Sequence, residues 1–71
     1  MRYTIILEKT ATGYSAYAPD LPGCIAAGDT YVETVQLMRE AMDFHVAGMR
    51  LNGESVAEPT SVAETVEVGA L

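Results

Sequence analysis

The chain opens on an alternating run. Tyr3, Ile5 and Leu7 fall on one face of an extended segment and Thr4, Ile6 and Glu8 on the other, which predicts a strand over about residues 2–9. Ile6 makes the second face less polar than a solvent face, a sign that both faces find cover. Thr10-Ala11-Thr12-Gly13 reads as a turn, with Gly13 as its positive-φ residue. Tyr14, Ala16 and Ala18 then share one face of a second strand over about 14–18, with Ser15 and Tyr17 opposite. The short link makes the pair an antiparallel hairpin. Pro19-Asp20-Leu21-Pro22-Gly23 breaks the ladder, since two prolines remove two backbone donors and Gly23 allows a sharp reversal. The apolar run from Cys24 predicts a third strand over about 24–28.

The period then changes. Val35, Met38, Met42, His45 or Val46, and Met49 recur at three- and four-residue steps, which predicts a helix over about 31–51. Thr30 and Glu33 have capping-box spacing: the Thr30 hydroxyl accepts from the Glu33 backbone N–H, and the Glu33 carboxylate reaches back to Thr30. Asn52-Gly53 stops the helix. Residues 54–61 read as a connector, and the alternation in Thr65-Val66-Glu67-Val68 makes 65–68 a candidate last strand. The fold class expected is α+β, a β-β-β-α-β two-layer arrangement with one long helix on a small antiparallel sheet, the whole chain 1–71 forming a single domain. A helix of about 21 residues spans ~32 Å, whereas a five-residue strand spans ~17 Å. The helix therefore overhangs the sheet, leaving Phe44, Val46, Met49 and Leu51 to be covered by a second subunit or by a folded-back 54–71 tail.

Size sharpens that point. A chain of 71 residues is marginal as a monomer. One cysteine makes no internal disulfide, and one histidine with one cysteine makes no zinc cage. Oligomerisation, as a dimer or tetramer, is the remaining common support. The formal net charge is −6, and the four cations, Arg2, Lys9, Arg39 and Arg50, are scattered. That pattern argues against direct nucleic-acid binding, which needs several phosphate contacts, and favours a basic partner. The opening apolar run is too short for a secretory core, and no stretch approaches the ~20 apolar residues of a membrane span. A lone thiol fits a reducing compartment, so the cytoplasm is expected.

Candidate chemistry is sparse. Cys24 as a nucleophile needs a base or cation beside it. His45, the only histidine, is placed by strand and helix rise too far along the helix to meet it within one subunit. A small buried hydrophobe is the ordinary reading of such a cysteine. Asp and Glu are spread along the chain without a sharp pair, and Gly23 and Gly28 lack phosphate-loop spacing. No catalytic residue, cofactor-binding residue or metal ligand is assigned. Met38, Met42 and Met49 form a stripe that serves as core filler or as an adaptable binding face.

Gly13-Tyr14, then Pro19-Asp20-Leu21-Pro22-Gly23-Cys24, then Gly28-Asp29-Thr30 with Glu33, then a long helix with Ala41, resembles the HicB family over roughly residues 1–60. The chain is similar to the antitoxin halves of HicA–HicB toxin–antitoxin pairs and to their stand-alone relatives. The resemblance implies a partial RNase H-like or ferredoxin-like fold, a homo-oligomer, and binding to a small basic HicA-type ribonuclease toxin. Full-length antitoxins of this group carry a C-terminal DNA-binding domain; residues 54–71 are too few and too acidic for one, so a short form is expected. The alternatives are a stand-alone oligomeric relative without a cognate toxin and, from another class, a metal-dependent hydrolase or nuclease. In either case "DLPGC" reads as a rigid corner: Pro19 and Pro22 stop the hairpin, Gly23 turns it, Leu21 and Cys24 plug the core, and Asp20 caps the turn through a backbone N–H.

Overall fold

In a computed structural model, which describes residues 1–69, three short strands precede one long helix. They are β1 (Ile6–Lys9), β2 (Tyr14–Tyr17), β3 (Ile25–Gly28) and α1 (Tyr31–Leu51). The strands form one antiparallel sheet in the order β1-β2-β3. The α+β class and the β-β-β-α order agree with the periodicities of the sequence.

The register explains the two faces of the sheet. Leu7, Ala16 and Ala26 lie side by side across the three strands, and this row faces the helix. Ile6, Tyr17 and Ile25 form the neighbouring row, on the opposite face. Alanines at the centre of the helix-facing row let α1 approach closely. Met38, with no exposed surface, fills the contact together with the buried Leu21 and Cys24. Full burial of one such side chain contributes about 1.5–3 kcal/mol. The helix packs chiefly over β3 and β2 and leaves β1 at its flank.

Local expectations shift in four places. Strand pairing on β1 begins at Ile6 rather than near residue 2, because β2 ends at Tyr17 and no strand among the described residues stands opposite residues 1–5. β2 ends one residue before the expected 14–18 and β3 begins one residue after the start of the expected 24–28, at the edges of the proline-bounded corner. Gly13 has no positive φ. The turn is held instead by Thr10, whose N–H donates to the Gly13 carbonyl (2.9 Å) and whose Oγ1 accepts from the Gly13 N–H (3.0 Å). Glycine is required there by crowding: a Cβ would collide with the Gly28 carbonyl oxygen and sit 2.9 Å from Asp29 Cα. Finally, residues 65–68 form no strand, since none of their own chain's strands lies alongside to supply a ladder.

After the chain reverses at Gly53 (φ 71°), residues 54–69 carry neither helix nor strand. Val56 packs against the core cluster, and Tyr3 Oη donates to the Ala57 carbonyl at 2.6 Å. Residues 62–69 are exposed. The radius of gyration is 14.1 Å and the longest dimension 51 Å, against roughly 11 Å for a compact chain of this length.

Candidate functional site

The "DLPGC" corner is a tight backbone reversal. Leu21 N–H donates to the Ala18 carbonyl and Cys24 N–H to the Leu21 carbonyl, each at 3.1 Å. Gly23 sits at φ 84°, a conformation that L side chains adopt only with strain. Pro19 and Pro22 flank the reversal, and Leu21 and Cys24 turn inward.

Asp20 does something other than cap this turn. Its carboxylate accepts from the backbone N–H groups of Thr60 (3.0 Å) and Ser61 (2.9 Å), and from the hydroxyls of Thr60 (3.1 Å) and Ser61 (2.8 Å). Both oxygens are engaged. The donors of Ser61 are the main reason the Asp20 pKa is lowered; burial opposes them, and each bond from Thr60 adds a lesser lowering. Thr4 Oγ1 donates to the Ser61 carbonyl at 2.8 Å, so the same tail residue is gripped from two sides. Thr60, Ser61 and Thr4 escaped the sequence reading. A contact across forty residues leaves no periodic or motif signal.

At the other end of the sheet, Thr30 Oγ1 accepts from Glu33 N–H at 3.1 Å. The return bond goes one residue further out than capping-box spacing implies: Glu33 Oε1 accepts from Asp29 N–H at 3.3 Å, not from Thr30. Thr34, fully buried, donates its hydroxyl to the Thr30 carbonyl at 2.7 Å and is thereby satisfied. Tyr14 and Tyr31 meet edge-on, with ring centroids 5.8 Å apart, which ties the start of β2 to the start of α1.

The four helix residues expected to need cover divide. Val46 packs against the core and Met49 is half-buried. Phe44 and Leu51 are 84% and 87% exposed. Two of the four are thus sheltered and the outer side of the helix is bare. Two further surfaces are open. One is the helix-free face of the sheet, where Tyr17 and Ile25 are exposed. The other is a groove of about 390 Å³ between the β1 end of the sheet and α1, with Ile5, Val35, Met42 and Val46 on its walls and Arg39, Asp43 and Arg50 along it.

Cys24 and His45 both line one shallow depression. No hydrogen bond among the described residues joins the pair. Burial pushes the thiol pKa up from 9.0, the direction opposite to an activated thiolate. No group of three or more His, Cys, Asp or Glu among the described residues is placed to hold a metal ion. No helix among them is long and apolar enough to cross a membrane. The arrangement is built for contact: a clamped tail, bare apolar side chains and an acidic surface.

Comparison with known proteins agrees with that character. Residues 3–69 match the family described as HicB-like antitoxin of bacterial toxin–antitoxin systems. An uncharacterised 14.9 kDa protein from the rep-hol intergenic region of Haemophilus phage HP1 is 36% identical over 66 residues, covering 93% of this chain and 50% of the phage protein. Antitoxin HicB 2 of Photorhabdus laumondii is 31% identical over 77 aligned positions, covering 93% of this chain and 55% of its own. The chain therefore spans about half the length of each of these two relatives. Among solved structures, a chain of the HicA3 and HicB3 toxin–antitoxin complex superposes with a TM-score of 0.73 at 30% identity, covering 83% of this chain and 70% of the other.

Proposed function

Because the chain belongs to the family of HicB-like antitoxins of bacterial toxin–antitoxin systems, we propose that it works by binding rather than by catalysis. Its target is a small basic HicA-type ribonuclease toxin, whose RNA-binding or catalytic surface it occludes in the cytoplasm. In this reading the chain is a homo-oligomer, and the antitoxin acts as an acidic cover. The observation that carries the reading is the likeness, in both fold and sequence, to a chain from a toxin–antitoxin complex. Charge supports it: ten carboxylates against four cations give a field that draws a basic protein in and repels RNA.

The test is co-expression with any small basic protein encoded beside this chain. Relief of growth arrest and a complex that survives size exclusion are the expected results. Failure of the pair to co-purify, with the toxin still arresting growth, overturns the reading.

A further inference from the structure

The flank of α1 that lies beside β3 carries a repeat that the fold leaves unused. Leu37, Phe44 and Leu51 stand seven residues apart, and Ala41 and Gly48 follow the first two by four. At about 100° per residue all five fall in one stripe about 80° wide, between the side that packs on the sheet and the side of Glu40. The large members of the stripe are bare: Phe44 is 84% exposed, Leu51 87% and Leu37 37%. The small members open a hole. Ala41 and Gly48 line the depression of about 380 Å³ beside Cys24 and His45, with Phe44 on its wall. Nothing lies within 4 Å of where a Gly48 Cβ would be. A glycine inside a helix costs about 1 kcal/mol against alanine, and no neighbour among the described residues requires this one.

We propose that this flank of α1 pairs with the same flank of a second copy of the chain, the two helices antiparallel about a two-fold axis near Phe44. Seven-residue spacing is the seam period of paired helices. Knobs and holes on one stripe make the surface complementary to itself, as a two-fold contact needs. In the antiparallel register Leu37 meets Leu51 of the second copy, and each Phe44 ring enters the other copy's hole at Ala41 and Gly48. Charge fixes the direction. In that register Glu40 faces Ala47 and Gly48 of the second copy, whereas parallel helices would set Glu40 against Glu40. The stripe itself carries no charge, on a chain of net charge −6. The contact is therefore apolar, and what opposes it is the long-range repulsion of two acidic bodies. Leu37, Phe44 and Leu51 expose roughly 400 Å² per copy. With the residues around the hole, the pair reaches the ~1,000 Å² floor of a specific contact. The inference rests on the homo-oligomer part of the reading above, assigns its surface, and is independent of the toxin.

Sedimentation velocity of the full chain over a concentration series tests it. The parent is expected to move from 7.6 kDa towards twice that mass. Its dissociation constant is expected to be about tenfold lower at roughly 1 M salt than at roughly 0.01 M, since screening removes the repulsion. A dimer that weakens with salt is held by charge elsewhere and overturns the pairing. Phe44→Glu, at an exposed position, is expected to stay monomeric with an unchanged far-UV circular dichroism spectrum. Gly48→Leu separates pairing from folding. It fills the hole and restores helix propensity, so its melting temperature, measured too dilute for pairing, rises while dimerisation is lost. If either variant dimerises as the parent does, this flank is wrong and the oligomer reading stands. If the parent is monomeric at every concentration, both fall.

Discussion

Asp20 and Ser61, forty-one positions apart in the chain, are joined twice: the carboxylate accepts from the backbone N–H at 2.9 Å and from the hydroxyl at 2.8 Å. Asp20→Ala removes both, and the two bonds to Thr60 with them. The expected result is loss of amide-exchange protection at Thr60 and Ser61 while the amides of α1 stay protected. A two-dimensional NMR exchange series checks it, and equal loss throughout the helix would argue against a local clamp.

The same clamp depends on pH in a definite sense. The folded carboxyl of Asp20 titrates below 3.8, chiefly because Ser61 donates to it. Its contribution to stability is therefore complete above pH 3.8 and fades as pH falls through the lowered value. Thermal unfolding of the parent and of Asp20→Ala is expected to differ at pH 6 and to converge in strong acid.

Two glycines are needed for opposite reasons, and substitution separates them. Gly23 has φ 84° with nothing within 4 Å of a Cβ, so Gly23→Val meets only a backbone penalty. That penalty is about 1–2 kcal/mol or somewhat more for a β-branched side chain, which lowers the melting temperature by roughly 4–8 °C per kcal/mol in a domain this small. Gly13→Ala drives its methyl into the β3 backbone at Gly28 and Asp29. It is expected to destabilise more than Gly23→Ala, as measured by urea unfolding.

Burial keeps the Cys24 thiol protonated, its pKa lying above 9.0. This stabilisation is present below pH 9.0 and is lost as pH rises through the raised value. The thiol is expected to resist a disulfide reagent at pH 8 in the folded chain and to react at once in denaturant. Cys24→Ala leaves the chain folded, at a cost of about 1 kcal/mol for the small void.

Met38 and Phe44 lie six residues apart on the same helix, the one with no exposed surface and the other 84% exposed. Met38→Ala is expected to cost about 2–5 kcal/mol, a large share of a small domain's stability. Phe44→Ala changes stability within about 0.5 kcal/mol. Chemical denaturation of the two variants gives the comparison.

The order of strands and helix was legible because its signals are local. Alternation from Tyr3 to Glu8, the glycine turn before Tyr14, the prolines after Ala18 and the change of period at residue 31 each act within a few residues. What failed to show depends on neighbours distant in sequence. The pairing of β1 is cut to Ile6–Lys9 by the length of β2, not by its own residues. Gly13 is fixed by crowding against β3 rather than by its turn, and Asp20 by a Thr-Ser pair in the tail. Residues 65–68 alternate like a strand but have none of their own chain's strands beside them, and a local pattern does not supply a partner.

The clasp of Asp20 on Thr60 and Ser61 also sets an order in time. Both hairpins and the helix close over short loops within Ile6–Leu51. The clasp bridges forty residues and costs more chain entropy to close. A folding chain thus forms its sheet and helix while Tyr3, Thr4 and Asp20 still stand open, and the N-terminal segment is fastened when residues 57–61 dock to lock it from outside.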